Sequence, residues 1–262
     1  MDLRDFEPAR TDRRLSGETA QPPALWHRVF FACVIAQVGA MSLVWNLLAP
    51  LLALLLPRAI AGTLGRAGVA YIYRCCWTSA EMLGLMKIDS TELDALRSEP
   101  GGLIVAANHP TMLDALLVVA RLPRGVCVMK AELMHNIFLG GGARLARYIK
   151  NDVGRGMVRD AVETLREGNQ LVLFPEGTRT VVAPINALKP GITLIAHLAQ
   201  VPIQTVVIES FSPYLTKGWP LLKAPPVPVR IRVRLGRRFA PDADHRALLR
   251  RLELYFADEL GT

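Results

Sequence analysis

The chain of 262 residues has only four cysteines, Cys33, Cys75, Cys76 and Cys127, and none sits in a CxxC pair. That spacing argues against a disulfide framework and against a cysteine zinc site, so no metal is expected. Aromatic residues make up just 6% of the chain, which leaves little for stacking bases, and no nucleic-acid partner is expected. No GxSxG stretch occurs, which weighs against a serine hydrolase. Gly140, Gly141 and Gly142 stand together, but no Walker lysine follows them and no GxGxxG is completed, so they read as a flexible turn rather than a nucleotide loop. Internal repeats and low-complexity segments are also missing. Between Val29 and Leu56 there is no charged residue at all.

What is present is apolar and basic together. Hydrophobic residues are 51% of the chain and the net charge is +8, with a mean hydropathy of +0.27. This excludes a disordered chain and gives one domain, or one domain with an appendage. The pairing suggests a membrane surface, nucleic acid or a phosphorylated substrate. The first 28 residues read as a polar tail: Met1 to Trp26 mix five acidic with four basic residues, unlike the short basic start of a secretory signal, so a retained, intracellular protein is expected.

Residues 29–88 read as a membrane-anchoring helical segment. As one helix, Val29 to Leu56 would extend ~42 Å, well beyond a ~30 Å hydrocarbon core. Pro50 offers a break, so the run either spans with Val29 to Ala49 alone or dips into one leaflet as a hairpin. Ala59 to Ile88 is apolar but carries Arg66, Arg74 and Glu81, which fits an interfacial amphipathic helix.

Residues 89–262 alternate short apolar runs with amphipathic segments. Strands are expected at Leu103 to Ala107, Val126 to Met129, Leu171 to Phe174, Ile203 to Ile208 and Val229 to Leu235. Helices are expected at Ala115 to Arg121, Met157 to Glu167, Leu188 to Gln200 and Asp242 to Leu260. The alternation predicts an α/β domain with a mixed, mainly parallel sheet flanked by helices, in which ligands gather at the carboxyl ends of strands. Arg230, Arg232 and Arg234 alternate with apolar residues, which predicts a basic strand face held against anionic lipid.

Two constellations carry chemistry. Asn108-His109-Pro110-Thr111-Met112-Leu113-Asp114 follows the strand ending at Ala107. Pro110 disfavours helix at His109, so the histidine sits in a turn, and a carboxylate five residues on can fold back to one imidazole nitrogen. That fixes the tautomer and leaves the other nitrogen as a general base. Phe174-Pro175-Glu176-Gly177-Thr178-Arg179 also follows a short apolar strand. There Gly177 permits close backbone approach, Thr178 supplies a hydroxyl and Arg179 presents a planar fork suited to phosphate oxygens. Glu176 is expected to orient Arg179 or an acceptor hydroxyl. His27, His135, His197 and His245 read as structural or exposed.

Together these motifs resemble those of the glycerolipid acyltransferases typified by 1-acyl-glycerol-3-phosphate acyltransferases. Asn108 to Asp114 matches the NHxxxxD pattern and Phe174 to Arg179 the FPEGTR pattern. Lys189-Pro190-Gly191 through Ala196 is similar to KxGxxxxA, and Val201-Pro202-Ile203 to the VPI strand. One block departs: Tyr148-Ile149-Lys150-Asn151-Asp152 lacks the usual arginine, for which Lys150 or Arg155 substitutes. The combination also resembles a bacterial branch linked to aryl polyene lipids.

The resemblance implies direct acyl transfer from acyl-CoA or acyl carrier protein, with no cofactor. His109 would be the base, Asp114 would hold it, and Glu176, Gly177, Thr178, Arg179, Lys150 and Lys189 would bind substrate. The acceptor would be a lysophosphatidic acid-like lipid, and the chain would sit on the cytoplasmic membrane with its catalytic domain on the cytoplasmic side. Alternatives are another lyso-lipid, such as an ornithine lipid or aryl polyene glycolipid, a thioesterase, or a non-catalytic lipid-binding protein.

Overall fold

The computed structural model describes residues 21–151 and 155–261. Most of the expected polar tail, and Asp152 with the Arg155 side chain, lie outside them. Two long helices come first, α1 (Leu25–Leu55) and α2 (Arg58–Met82). A seven-stranded sheet follows, made of β1 (Met86–Asp89), β2 (Leu103–Ala107), β3 (Gly125–Met129), β4 (Ile149–Lys150), β5 (Gln170–Leu173), β6 (Ile203–Ser210) and β7 (Val229–Phe239). The helices between them are α3 (Asp114–Arg121), α4 (Gly140–Leu145), α5 (Arg155–Arg166) and α6 (Gly191–Ala199), with α7 (His245–Gly261) closing the chain.

The strand order is β1-β7-β6-β2-β5-β3-β4, and every pairing is parallel except β6 with β7. The mixed, mainly parallel sheet is therefore as expected. All five residues of β2 are buried and alternate between two cores. Leu103, Val105 and Ala107 face one side, with α1, α2 and α3, while Ile104 and Ala106 face the other, with α5, α6 and α7. Burial on both faces is what makes such a strand continuously apolar rather than alternating.

The N-terminal segment differs from the expectation in four ways. First, α1 runs unbroken through Pro50, so the chain reverses at Leu56-Pro57 and not within the apolar run. A second difference is that one of the three charges expected at the interface on α2 is buried by the domain. Arg66 turns inward, only 8% exposed, and its guanidinium reaches Ala146 O, while Glu81 stays exposed, its carboxylate accepting from the Ile88 main-chain N–H.

Third, α2 stops at Met82, and β1, read as the end of the anchor, is a sheet strand paired with β7. Gly84 at φ +69 ends the helix: its N–H donates to Glu81 O, and the Leu85 N–H donates to Ala80 O. This is the left-handed C-terminal cap that glycine adopts at no steric cost. The fourth difference lies in Gly140 to Gly142, which form buried helix α4 and not a flexible turn.

Those glycines let three helices touch. A Cβ on Gly142 would meet the Trp45 indole at 2.7 Å, and one on Gly141 would meet Asn46 O at 2.6 Å. Across the same junction, a Cβ on Gly65 of α2 would lie 2.5 Å from the Ala146 main chain. Asn46 completes the joint, its Oδ1 accepting from the Gly142 N–H at 2.8 Å and its Nδ2 donating to Phe138 O at 2.5 Å. Along α1 the packed residues are Phe31, Val34, Val38, Ser42, Trp45, Ala49, Leu52 and Leu56. Their alternating three- and four-residue spacing is a coiled-coil-like seam.

The arginines of β7 are not a free basic face. Arg230 is 6% exposed, and Arg234 lies between Glu259 at 2.6 Å and Glu209 at 3.6 Å. Arg238 pairs with Glu99 at 2.7 Å, and that guanidinium hydrogen bond holds the Glu99 carboxyl below its usual range. The period-two pattern assigns the arginines to one face, but Arg230 is buried and Arg234 is paired with Glu209 and with Glu259 of α7.

Gly65→Ala should destabilise the chain by about 1–3 kcal/mol, because the neighbour it meets is backbone that cannot swing aside. Gly39→Ala, with nothing within 4 Å of its Cβ, should leave stability unchanged or slightly raised. Unfolding of the two variants in the same detergent compares them.

Candidate active site

The site is built where β2 and β5 end side by side. At the end of β2 the Asn108 amide turns to β6, donating to Ile208 O at 2.9 Å and accepting from the Ile208 N–H at 2.7 Å. These paired bonds replace the ladder and lead the chain into a turn, so His109 emerges at the sheet edge. Its Nδ1 faces Asp114 Oδ2 at 2.9 Å. An ionised carboxylate only accepts, so the proton is assigned to Nδ1, and Nε2 keeps its lone pair. The ring rests on Phe174, with centroids 4.3 Å apart, and the His109 side chain is 19% exposed against 0% for Asp114.

Asp114 begins α3 and is held by Thr111 as well. The Thr111 N–H donates to Oδ2 at 2.7 Å and its hydroxyl to Oδ1 at 2.5 Å. Burial pushes the Asp114 carboxyl above its ordinary pKa, and the hydrogen bonds from His109 and Thr111 oppose that shift.

After β5, the Gly177 N–H closes a turn on Phe174 O at 2.9 Å, with Gly177 at φ +71. Glu176 points inward and is 2% exposed. Its carboxylate accepts from the His109 N–H at 2.8 Å, from the Thr180 hydroxyl at 2.9 Å and from the Asn186 N–H at 3.0 Å. The His109 carbonyl accepts from the Thr180 N–H at 2.7 Å. Both polar groups of the His109 main chain are thus held by the second motif. Glu176 was expected to orient Arg179 or an acceptor hydroxyl; its bonds instead fix the histidine's backbone.

Arg179 is half-buried, and its Nη1 donates to Leu215 O at 2.9 Å and to Thr216 O at 3.1 Å. Gly177 is exposed and Thr178 half-buried on the same turn. Lys189 donates its main-chain N–H to Pro175 O at 2.7 Å, and its side-chain stem lies beside Gly177. Lys150 is not gathered with these residues. It ends β4, three strands from β2 along the same sheet edge, roughly 14 Å away at the usual strand spacing. His197 and His245 face each other at 4.8 Å between α6 and α7.

Several contributors escaped the sequence reading: Asn108, Thr111, Thr180, Asn186 and the Leu215 and Thr216 carbonyls. Thr111 was findable, because Thr-x-x-Asp before an apolar run is a capping-box pattern. The Leu215 and Thr216 carbonyls carry no residue-type signal.

Residues 87–209 match the model of the Acyltransferase family. The chain is similar to that family over this region, just under half of its length. It is 31% identical over 121 residues to human 1-acyl-sn-glycerol-3-phosphate acyltransferase beta, covering 42% of each chain. To the 1-acyl-sn-glycerol-3-phosphate acyltransferase of Limnanthes alba it is 29% identical over 136 residues, covering 49% of this chain and 48% of that one. The chain thus spans about half the length of the curated relatives it matches. The crystal structure of the 1-acyl-sn-glycerophosphate acyltransferase of Thermotoga maritima superposes with a TM-score of 0.68 at 18% identity, over 89% of this chain and 93% of that one. That likeness establishes the shared fold.

Glu176→Gln should destabilise the fold by about 1–3 kcal/mol, since an amide nitrogen would face donors that a carboxylate oxygen now satisfies. Denaturant unfolding of the variant measures the loss, and a variant as stable as the parent would remove Glu176 from the tether.

Proposed function

We propose that the chain is an O-acyltransferase that moves a fatty acyl group from a thioester, acyl-CoA or acyl carrier protein, to the hydroxyl of a lysophosphatidic acid-like lipid. The observation that carries this reading is the Asp114-held His109, whose Nε2 opens at the sheet edge beside the Arg179 turn. The similarity to relatives named for acylation of 1-acyl-glycerol-3-phosphate supports the same acceptor class.

The thioester is already activated, so no covalent enzyme intermediate is needed. His109 Nε2 takes the proton of the acceptor hydroxyl as its oxygen attacks the thioester carbonyl, and the C–O bond forms as the C–S bond breaks. The proton passes from the imidazolium to the leaving thiolate. Asp114 orients the ring and stabilises the imidazolium while it exists. Arg179 supplies positive charge to the acceptor phosphate from a guanidinium that two carbonyls hold still. General-base help of this kind is worth ~10²–10⁴-fold, with positioning and oxyanion stabilisation adding to it.

The lipid acceptor requires a seat at the membrane, and α1 provides one lying in the surface. Its exposed side carries Val44, Leu47, Leu48, Leu51, Leu54 and Leu55, far more contiguous apolar surface than a soluble helix leaves open. The packed seam from Phe31 to Leu52 is ~31 Å long, about the full thickness of the hydrocarbon. A spanning α1 would therefore drag the attached domain, with its buried polar joints, into lipid. An in-plane α1 leaves the domain in water and its leucine face in one leaflet.

His109→Ala should lower acyl transfer to lysophosphatidic acid by about 10²–10⁴-fold while the protein still folds and binds vesicles. Turnover at the parent rate would overturn the general-base assignment. Arg179→Ala should chiefly raise the acceptor KM, and a panel including lyso-ornithine lipid and aryl polyene acceptors tests whether that rise is confined to phosphate-bearing substrates. A collapsed kcat at unchanged KM would count against the anion contact.

A further inference from the structure

The loop between β6 and β7, residues 211–228, is far longer than a connection between antiparallel neighbours needs. Its tip is apolar and open: Phe211 is 53% exposed, Leu221 51% and Leu222 75%. Exposed Lys217 and Lys223 flank the two leucines. The Lys223 ammonium sits 4.9 Å over the Trp219 ring, and the Trp219 Nε1–H donates to Lys223 O. Adjacent leucines, an indole and two lysines on one exposed loop are the composition of a membrane–water interface.

The loop also stands beside the helix already read as the membrane seat. Tyr214 meets Phe31 of α1 edge-on at 5.8 Å and Trp219 at 6.2 Å. Gln21, just ahead of α1, exchanges both main-chain hydrogen bonds with Val227 at 2.9 Å. The base of the loop and the start of α1 are therefore one joined structure. The first turns of α1 are apolar and open as well, with Leu25, Trp26 and Val29 exposed.

The inner side of the loop grips the site. Leu215 is buried and adopts φ +58, a conformation that costs a leucine energy. Its carbonyl accepts from Arg179 Nη1 and from the Met112 N–H at 3.0 Å, within the His109–Asp114 motif.

We propose that the β6–β7 loop is a second membrane-inserting element, which enters an anionic lipid surface through Leu221 and Leu222 between Lys217 and Lys223 while its Leu215 and Thr216 carbonyls hold Arg179 at the height of the headgroups. This deepens the proposed function and rests on it for the role of Arg179, but insertion can be tested separately. Lipid, rather than a protein partner, is the occupant because the loop is joined at its base to α1, whose exposed side is apolar, and carries lysines beside its leucines.

A polarity-sensitive fluorescent amino acid placed at position 222 of the full chain, bound to phosphatidylcholine–phosphatidylglycerol vesicles with brominated acyl chains, reads insertion directly. The same probe at position 254 is the control, because Leu254 is 71% exposed on α7, which packs on the opposite side of the sheet. Position 222 should shift to the blue and be quenched, more so with phosphatidylglycerol than without, and position 254 should do neither. Like behaviour at the two positions overturns the insertion, and an equal response without phosphatidylglycerol overturns the part assigned to the lysines.

The variant Leu221→Glu/Leu222→Glu should raise KM for a vesicle-borne acceptor about tenfold or more and leave turnover of a short-chain, water-soluble acceptor unchanged. Equal effects on both acceptors, or none on either, would overturn the link between loop and substrate. Insertion at 222 in a protein without acyl transfer would sink the proposed reaction and keep the loop; acyl transfer without insertion would do the reverse.

Discussion

The His109 main chain donates to the Glu176 carboxylate and accepts from Thr180, so the residue two past the end of β2 is held by the segment that follows β5. A histidine in a loop has its ring position set by its backbone, and a loop backbone is ordinarily the mobile part of a fold. Here the two strands are already registered, Ala106 opposite Leu173, and the tether carries that register past their ends. A base must lie within hydrogen-bond reach of the proton it takes, and an error of an ångström costs orders of magnitude in rate. The two motifs are therefore one object: the first supplies the proposed base and the second fixes where it stands.

The N-terminal helices connect to this object through close packing rather than through polar contacts with it. Gly65 and Gly141 bring α2 and α1 to close contact with the backbone beside them, Gly68 and Gly142 make room for the Trp45 indole, and Asn46 seals the joint. Such contacts are short and stiff, so the apolar face of α1 is held at a fixed attitude to the sheet edge. For the proposed reaction on a lipid headgroup, that fixed attitude matters more than tight membrane binding.

Much of this was legible. β2 was read to the residue because a strand buried on both faces is continuously apolar and bounded by glycine and asparagine. The His109–Asp114 pairing followed from Pro110, which forbids helix at the histidine, and the geometry agrees. Other features were misread where one pattern had two causes. Inward-turned Arg66 looked like part of a wetted helix face, and three packed glycines looked like a turn. Alternating arginines on β7 looked like a basic rim, whereas Glu209 and Glu259 neutralise Arg234. In each case the residues specify a face, and only the tertiary partner decides whether that face meets water. The Arg179 carbonyl cradle was illegible for a different reason: any residue supplies a carbonyl, and what aims this one is the backbone angle of Leu215.

The burial of Asp114 shows how the site divides its labour. Removing a carboxylate from water costs several kcal/mol even after relaxation. The Thr111 N–H and hydroxyl together with His109 Nδ1–H offset that cost, since hydrogen bonds to a charged group are each worth about 1.5–3 kcal/mol. The offset is incomplete, as the raised pKa of Asp114 records. A carboxylate left short of solvation interacts more favourably with a positive neighbour than a wetted one does, because the low local dielectric strengthens the attraction. When the imidazole of His109 gains a proton, it becomes that neighbour. In the proposed reaction, the incomplete solvation of Asp114 is relieved only as the proton moves, which would place its stabilisation in the transition state and not in the ground state.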